Sequence, residues 1–226
     1  MAHSQIGKRV GKENGAMTVH LEALAPAQKK TLAQVASFAT RRGFYLGGGT
    51  AIALHLGHRR SIDFDWFIEN PLGDPMLLAQ YIRSQGMDFT TSKVEAGTLH
   101  GLLSGVRFSF LEYPYALLSP SLKVQGFDCL VASLDDLACM KLSALAQRGS
   151  KKDFVDIYAL ALKHRPLPDI LTLYKRKYGV EDMSHVLYGL AYFDDADKER
   201  MPRMLWKTDW KTIKTAIRNW LGALSR

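Results

Sequence analysis

A run of glycines is the first feature of the chain that could bind a ligand. Gly47, Gly48 and Gly49 are followed by Thr50 and then by an apolar segment. Glycines between a strand and a helix let backbone N–H groups approach a phosphate, and the N-terminus of the helix adds positive potential. Thr50 can cap that helix or hydrogen-bond a phosphate oxygen. An ordinary tight turn explains the same residues, and no Gly-Lys-Ser/Thr follows to make a P-loop.

A pair of aspartates follows in an alternating segment, Ile62–Ile68. In a strand Asp63 and Asp65 share one face, and Ile62, Phe64, Trp66 and Ile68 share the other. Adjacent carboxylates repel each other, and Mg²⁺ (or Mn²⁺) relieves the repulsion and prefers oxygen ligands. The pattern therefore predicts metal ligands at Asp63 and Asp65, unless the segment is a solvated edge strand with two incidental acids.

The order of these motifs resembles the nucleotidyltransferase superfamily with the DNA polymerase β-like fold. Residues 45–67 are similar to the AbiEii family of nucleotidyltransferase toxins, through Gly48-Gly49-Thr50-Ala51-Ile52, Gly57-His58-Arg59 and Ser61-Ile62-Asp63-Phe64-Asp65-Trp66-Phe67. A second block resembles the family's downstream Lys and Lys-x-x-x-Asp segment. It runs from Ser133-Leu134-Asp135-Asp136-Leu137 through Lys141 to Arg148-Gly149-Ser150-Lys151-Lys152-Asp153-Phe154-Val155-Asp156-Ile157-Tyr158.

The resemblance implies a fold, an activity and partners. The fold is α+β, a polymerase β-like mixed sheet with helices followed by an α-helical C-terminal half. The substrate is a nucleoside triphosphate (NTP), with Gly48, Gly49 and Thr50 at its terminal phosphates and Lys141 offsetting the charge of the departing pyrophosphate. The protein would be a toxin of a type IV toxin–antitoxin system, with a separate antitoxin. The acceptor would be a hydroxyl of tRNA, of another RNA or of a protein.

Lys141 lies in the middle of the apolar stripe of its predicted helix. A lysine there either extends past the edge of the core or points into a cleft toward an anion. On the next helix, Lys152 and Asp156 are four residues apart, which suits a surface ion pair, and periodicity puts Asp156 on the polar side. The resemblance favours site roles for both.

Two further features concern the charge of the site. Arg59 and Arg60 precede the aspartate pair and can neutralise triphosphate charge, with Arg60 a nucleotide-binding candidate. The superfamily often supplies a third carboxylate from a later strand, whose counterpart here is Ser109. Glu112 faces the opposite side of a regular strand, so a mechanism with two metals and three carboxylates is in doubt.

The patterning divides the chain into a tail at 1–18, a nucleotidyltransferase α/β domain at 19–132 and a helical domain at 133–226. Glycine and proline signals and apolar periodicity predict the individual elements. Strands are expected at 44–46, 62–68, 88–95, 98–103, 106–112 and 127–131, and helices at 26–40, 51–56, 75–85, 133–147, 151–164, 167–178, 184–192 and 207–224.

The composition of the chain limits the classes of protein to which it can belong. The chain has 226 residues, is 47% hydrophobic and contains two cysteines, Cys129 and Cys139, so a disordered chain or a disulfide scaffold is excluded. Neither a long apolar run nor a signal peptide is apparent, and a cytoplasmic protein without membrane contact is expected. Residues 139–226 carry 17 basic and 10 acidic residues, which favours nucleic acid or nucleotide phosphates as partners. A catalytically reduced nucleotide- or RNA-binding module and a structural, antitoxin-like partner remain alternatives to the enzyme.

Overall fold

The computed structural model describes residues 16–17 and 19–224. Its strands are β1 (Ala16–Met17), β2 (Tyr45–Gly47), β3 (Phe64–Ile68), β4 (Phe89–Glu95), β5 (Thr98–Leu103), β6 (Val106–Glu112), β7 (Leu122–Val124) and β8 (Leu130–Val131). Its helices are α1 (Pro26–Arg41), α2 (Gly48–Leu56), α3 (Pro75–Ser84), α4 (Leu134–Arg148), α5 (Lys151–Lys163), α6 (Leu167–Tyr178), α7 (Ser184–Ala191), α8 (Asp194–Lys198) and α9 (Trp210–Leu224).

The strands form one mixed sheet in the order β1-β7-β8-β2-β3-β6-β5-β4. At its centre β3 pairs antiparallel with β2 and parallel with β6, so Asp65 lies opposite Gly47 on one side and Ser109 on the other. β5 then pairs antiparallel with β6. The predicted α+β architecture is confirmed, and the register brings both sequence motifs to the same part of the sheet.

The apolar side chains explain how the layers pack. Phe64, Trp66, Phe108 and Phe110 are almost completely buried, on the face of β3 and β6 opposite Asp65 and Ser109. Helix α1 contacts β6, while α3 contacts β4 and β5. Helices α4 and α5 pack on α2, so the C-terminal helices contribute side chains beside the glycine motif. The cluster of buried hydrophobic residues extends from Leu24 to Ile217.

Several element boundaries differ from the sequence predictions. The glycine run is not a separate turn, because α2 begins at Gly48. Strand β3 begins at Phe64, and Ile62, expected on the apolar face, is 61% exposed. Ala16 and Met17, assigned to the tail, pair with β7 instead, and the rest of that predicted tail, at 1–15 and 18, lies outside the described residues.

The short elements β7 and α8 were not predicted, and the last helix begins at Trp210 rather than at residue 207. Within the described part of the chain, no helix combines the length and apolar character needed to cross a membrane.

Candidate active site

The carboxylate of Asp65 lies directly against the N-terminus of α2. Gly48 begins this helix with a φ of +63°, and a Cβ atom added there would stand 2.4 Å from the Asp65 Oδ2 atom. A side chain at Gly48 would therefore both strain the backbone and displace the carboxylate. Glycine is needed at this position because the helix start and the acidic strand approach each other so closely.

The environment of Asp65 opposes its negative charge. Burial raises the pKa of Asp65, although a hydrogen bond from the Ser109 hydroxyl and the nearby charge of Lys141 act in the opposite direction. The charge of Asp63 raises this pKa further. A cation beside Asp65 would offset both the desolvation and the repulsion.

Asp63 precedes the strand and is more exposed than Asp65. Its side chain is 31% exposed, and its Oδ1 atom accepts a hydrogen bond of 2.7 Å from the Nε atom of Arg107. The Arg107 side chain is 64% exposed, and an exposed pair of this kind contributes about 1 kcal/mol or less. Arg107 can therefore leave Asp63 when a cation binds.

The two carboxylates suit a divalent cation that binds together with a phosphate-containing substrate. Among residues 16–17 and 19–224 no cluster of three or more His, Cys, Asp or Glu side chains could hold a metal ion. Mg²⁺ is commonly bound by one or two carboxylates, with substrate phosphates and water completing its octahedral shell. Asp63 and Asp65 supply such a partial set of ligands, and the adjacent end of α2 leaves phosphate oxygens a place beside them.

The Thr50 hydroxyl is used inside the protein. Thr50 is buried; its hydroxyl lies 2.7 Å from that of Ser61 and also donates to the backbone carbonyl of Asp63. This contact links α2 to the residue that carries the first carboxylate. Phosphate binding at Thr50 stays a prediction, and it would have to come from the backbone N–H.

Lys141 is buried between two carboxylates of α5. Its Nζ atom lies 2.9 Å from Asp153 Oδ1 and 3.0 Å from Asp156 Oδ2, and the residue is 4% exposed. The amine does not extend past the edge of the core to solvent; it points toward anions, and these are the carboxylates of Asp153 and Asp156. Its charge nevertheless acts on Asp65, so Lys141 connects the buried ion pairs to the site.

Asp156 does not occupy the solvent-facing side of its helix, and this prediction is wrong. Its side chain is fully buried and accepts hydrogen bonds from His58 Nε2 at 2.7 Å and from Arg59 Nε at 2.6 Å and Nη2 at 2.8 Å. Burial alone would raise its pKa, but Arg59 and Lys141 hold the pKa of Asp156 well below its usual range. The helix periodicity failed here because α2 and its following segment cover the polar side of α5.

Asp153, the second carboxylate that Lys141 contacts, also accepts hydrogen bonds from Arg148 and Ser150. Arg148 donates to both of its carboxylate oxygens, at 2.8 and 2.9 Å, and the Ser150 hydroxyl donates at 2.7 Å. Burial opposes ionisation, yet Arg148 and Lys141 lower the pKa of Asp153. The sequence pattern gave no indication of this role, since the cationic partners of Asp153, Lys141 and Arg148, lie on α4 and not on its own helix.

Arg59 makes the closest approach to the glycine motif among the basic candidates. A Cβ atom at Gly49 would stand 2.3 Å from the Arg59 Nη2 atom, so the guanidinium group lies on the first turn of α2. Arg60 is only half-buried, and its backbone N–H donates to the carbonyl of Arg203. The structure therefore brings Arg59, more than Arg60, to the place where phosphates are expected.

Lys152 is exposed in the first turn of α5, and no ion pair joins it to Asp156 within the described residues. Its charge lowers the pKa of Asp65, which indicates that Lys152 lies near the carboxylate pair. At the position of the missing third carboxylate, Ser109 hydrogen-bonds Asp65, while Glu112 accepts from the backbone N–H of Leu72 at 3.0 Å. Glu112 thus faces away from the site, as expected.

A mixed sheet whose aspartate pair meets a glycine-started helix is the arrangement of a nucleotidyltransferase. The family profile described as "Nucleotidyl transferase AbiEii toxin, Type IV TA system" matches residues 80–222, a range that begins after the aspartate pair. The chain belongs to this family of nucleotidyltransferase toxins. It is also 39% identical over 179 residues to the uncharacterized protein aq_aa25 of Aquifex aeolicus (strain VF5), covering 78% of this chain and 86% of the relative.

Two solved structures share the fold along most of their length. JHP933 from Helicobacter pylori superposes with a TM-score of 0.56 at 14% identity, over 91% of this chain and 93% of that one. MenT4, the nucleotidyltransferase toxin Rv2826c from Mycobacterium tuberculosis H37Rv, gives a TM-score of 0.54 at 15% identity, over 88% and 82% of the two chains. At such identities the likeness concerns the fold alone.

Proposed function

We propose that this protein transfers a nucleotide from an NTP to an acceptor hydroxyl and releases pyrophosphate, with Asp63 and Asp65 holding a divalent cation. The observation that carries the proposal is the contact between the Asp65 carboxylate and Gly48 at the N-terminus of α2. It brings a cation ligand and a phosphate-binding helix end within one side-chain length of each other. The acceptor oxygen would attack the α-phosphorus in line, and the bond to pyrophosphate would break.

The residues around the glycine motif suit a triphosphate. The first N–H groups of α2, at Gly48, Gly49 and Thr50, have no partner within the helix and can donate to phosphate oxygens. Behind them Arg59, Lys141 and Arg148 face only two buried carboxylates. His58 adds no charge to this balance, because burial lowers its pKa even though Asp156 acts in the opposite direction. The network is therefore net positive and would stabilise an anionic donor and its departing pyrophosphate.

Mg²⁺ would be the natural cation, with Mn²⁺ as a substitute, because the ligands offered are carboxylate oxygens. When bound, the cation would offset phosphate charge and act as a Lewis acid on the α-phosphoryl group. Asp65 would have to be ionised to hold it, and because burial raises its pKa this ligand would be protonated at a higher pH than an ordinary aspartate.

The acceptor is an RNA hydroxyl in this proposal. Arg107, Arg148 and Lys152 have exposed side chains near the aspartate pair, and phosphate contacts from such residues provide most of the affinity for nucleic acid. tRNA is one such RNA, and a protein hydroxyl is the competing outcome. As a toxin of this family, the protein would act in the cytoplasm, where Cys129 and Cys139 stay reduced, and would be neutralised by a separate antitoxin.

The test is incubation with each α-labelled NTP, Mg²⁺ and total RNA or total protein. We expect label in RNA from the wild type, and a loss of at least about 10²-fold in Asp65→Asn. Asp169→Asn, which changes an exposed aspartate on α6, is the matched control and should retain transfer. Absence of labelling in every combination of nucleotide and acceptor would contradict the proposal.

A catalytically reduced binding module is the second candidate, and the serine at position 109 favours it, because the usual third carboxylate is missing there. Such a module would bind an NTP with Mg²⁺ but would release no pyrophosphate. Calorimetric binding without pyrophosphate release, with RNA present, would favour this candidate over the enzyme.

A further inference from the structure

A row of hydrogen-bonded side chains crosses three strands beside the aspartate pair. Asp65 on β3 lies opposite Ser109 on β6, and Ser109 lies opposite His100 on β5. The Ser109 hydroxyl lowers the pKa of Asp65, and the Nδ1 atom of His100 lies 3.0 Å from the Ser109 Oγ atom. The three side chains share one face of the sheet, because directly opposed residues in neighbouring strands point the same way.

This face is accessible from solvent. Ser109 and His100 are partly exposed, whereas their neighbours Phe108, Phe110 and Leu99 point to the opposite, buried face. Ser109 also occupies the position at which a third carboxylate would receive the proton of the acceptor hydroxyl. A group that accepts a proton is still required there, since the attacking oxygen must lose its proton during transfer.

We propose that His100, acting through Ser109, accepts the proton of the acceptor hydroxyl in the nucleotidyl transfer. This inference rests on the proposed function. The acceptor O–H proton passes to Ser109 Oγ while the proton of Ser109 passes to His100 Nδ1. The acceptor oxygen forms its bond to the α-phosphorus, and pyrophosphate leaves with the electrons of the broken P–O bond.

The direction of the hydroxyl proton depends on Asp65. Ser109 has one proton to donate, and both Asp65 and His100 lie beside its hydroxyl. A carboxylate that ligates a cation is a weaker hydrogen-bond acceptor, so the same hydroxyl then turns to the imidazole. Ser109 is the group that touches the acceptor, and His100 acts through it.

Other charged groups surround His100 on this face. On β4 Lys93 lies opposite His100 and pairs with Glu95, with 2.5 Å between Nζ and Oε1. His100 in turn contributes to lowering the pKa of Glu95, after the larger effect of Lys93. Arg107 stands two residues before Ser109 on β6 and is paired with Asp63. Lys93, Glu95, Arg107 and the two aspartates are therefore the charged groups around His100 on this face.

The experiment compares the full-length wild type with His100→Gln, Ser109→Ala and the double variant Ser109→Asp/His100→Gln. Nucleotide transfer to RNA is measured as a function of pH, and binding of Mn²⁺ with a non-hydrolysable NTP analogue is measured by calorimetry. We expect His100→Gln and Ser109→Ala each to lower kcat by about 10²-fold, with analogue binding changed by less than about threefold. The part of the acid limb that belongs to the imidazole should disappear in His100→Gln, while the part that belongs to Asp65 should remain.

The double variant keeps the proposal falsifiable, because it restores a carboxylate that needs no histidine. We expect it to recover at least about tenfold in kcat over His100→Gln. Transfer by His100→Gln at the wild-type rate would overturn this inference and leave the proposed function intact. If His100→Gln lost transfer and analogue binding to the same extent, the inference would also be overturned, since a parallel loss indicates a structural role for His100. A wild type that binds the analogue but transfers nothing would refute both proposals together.

Discussion

Replacing Gly48 with alanine tests the contact on which the site depends. The new Cβ atom would lie 2.4 Å from the Asp65 Oδ2 atom, whereas real Cβ contacts essentially never fall below 3.0 Å. The carboxylate would therefore have to move by at least 0.6 Å, the difference between these distances. The φ of +63° adds a backbone cost of about 1–2 kcal/mol for any residue with a Cβ atom.

Gly179→Ala provides a control with the same backbone cost. Gly179 also has a φ of +63°, but nothing lies within 4 Å of the position its Cβ would take. Both variants should lose about 1–2 kcal/mol in the free energy of unfolding, measured by urea denaturation with tryptophan fluorescence. Only Gly48→Ala should impair the site.

The expected loss of activity follows from the displacement of the Asp65 carboxylate. A misplacement of about 1 Å in a catalytic group can reduce the rate by about 10²-fold, so Gly48→Ala is expected to lower transfer to RNA by about that factor. Binding of Mn²⁺ with a non-hydrolysable NTP analogue should weaken in parallel. If Gly48→Ala matched Gly179→Ala within about threefold in both assays, the contact between the glycine and the carboxylate would have no functional importance.

Three further predictions concern single buried groups. Asp156→Asn should lower the free energy of unfolding by about 3–5 kcal/mol, because it leaves Arg59 buried without its carboxylate and Lys141 with only Asp153. A loss below about 1 kcal/mol in urea denaturation would contradict the importance of these ion pairs. Asp65→Asn should leave the free energy of unfolding unchanged or raise it, since burial opposes the charge of this carboxylate. Cation-dependent binding of the NTP analogue should weaken by at least about tenfold. Destabilisation with unaltered binding would argue for a structural role. Burial lowers the pKa of His55 from 6.5 to about 4, so the unfolded chain binds the proton first as the pH falls, and at pH 5 the fold should be about 2 kcal/mol less stable than at pH 7. His55→Gln, measured by denaturation at both pH values, should remove that part of the loss. A pH dependence identical to that of the wild type would exclude His55 as its source.

Local patterns predicted the parts of the fold that local forces determine. The strand pattern around Phe64 and Trp66 correctly indicated a strand with one apolar and one acidic face, because those two aromatic side chains are fully buried and Asp65 lies half-buried on the other face. Its start was predicted two residues too early, at Ile62 and not at Phe64, since an exposed isoleucine before a strand has the same local sequence pattern as a buried one. The helix boundaries of α6 were correct because Gly179 adopts the left-handed conformation that ends a helix.

Residues that depend on distant partners could not be predicted in the same way. The burial of Asp156 is determined by His58 and Arg59, which lie 98 and 97 residues away along the chain. The link between His100 and Ser109 depends on the register of two antiparallel strands. Helical or strand periodicity describes only the element on which a residue lies, and it therefore assigned Asp156 to solvent and gave His100 no role.

The most direct test of the central claim is the anomalous scattering of Mn²⁺ in crystals grown with a non-hydrolysable NTP analogue. We predict one strong peak between the carboxylates of Asp63 and Asp65, bridged to phosphate oxygens that accept hydrogen bonds from the first N–H groups of α2. Density for the analogue elsewhere on the protein, or a Mn²⁺ peak that neither aspartate contacts, would contradict the account.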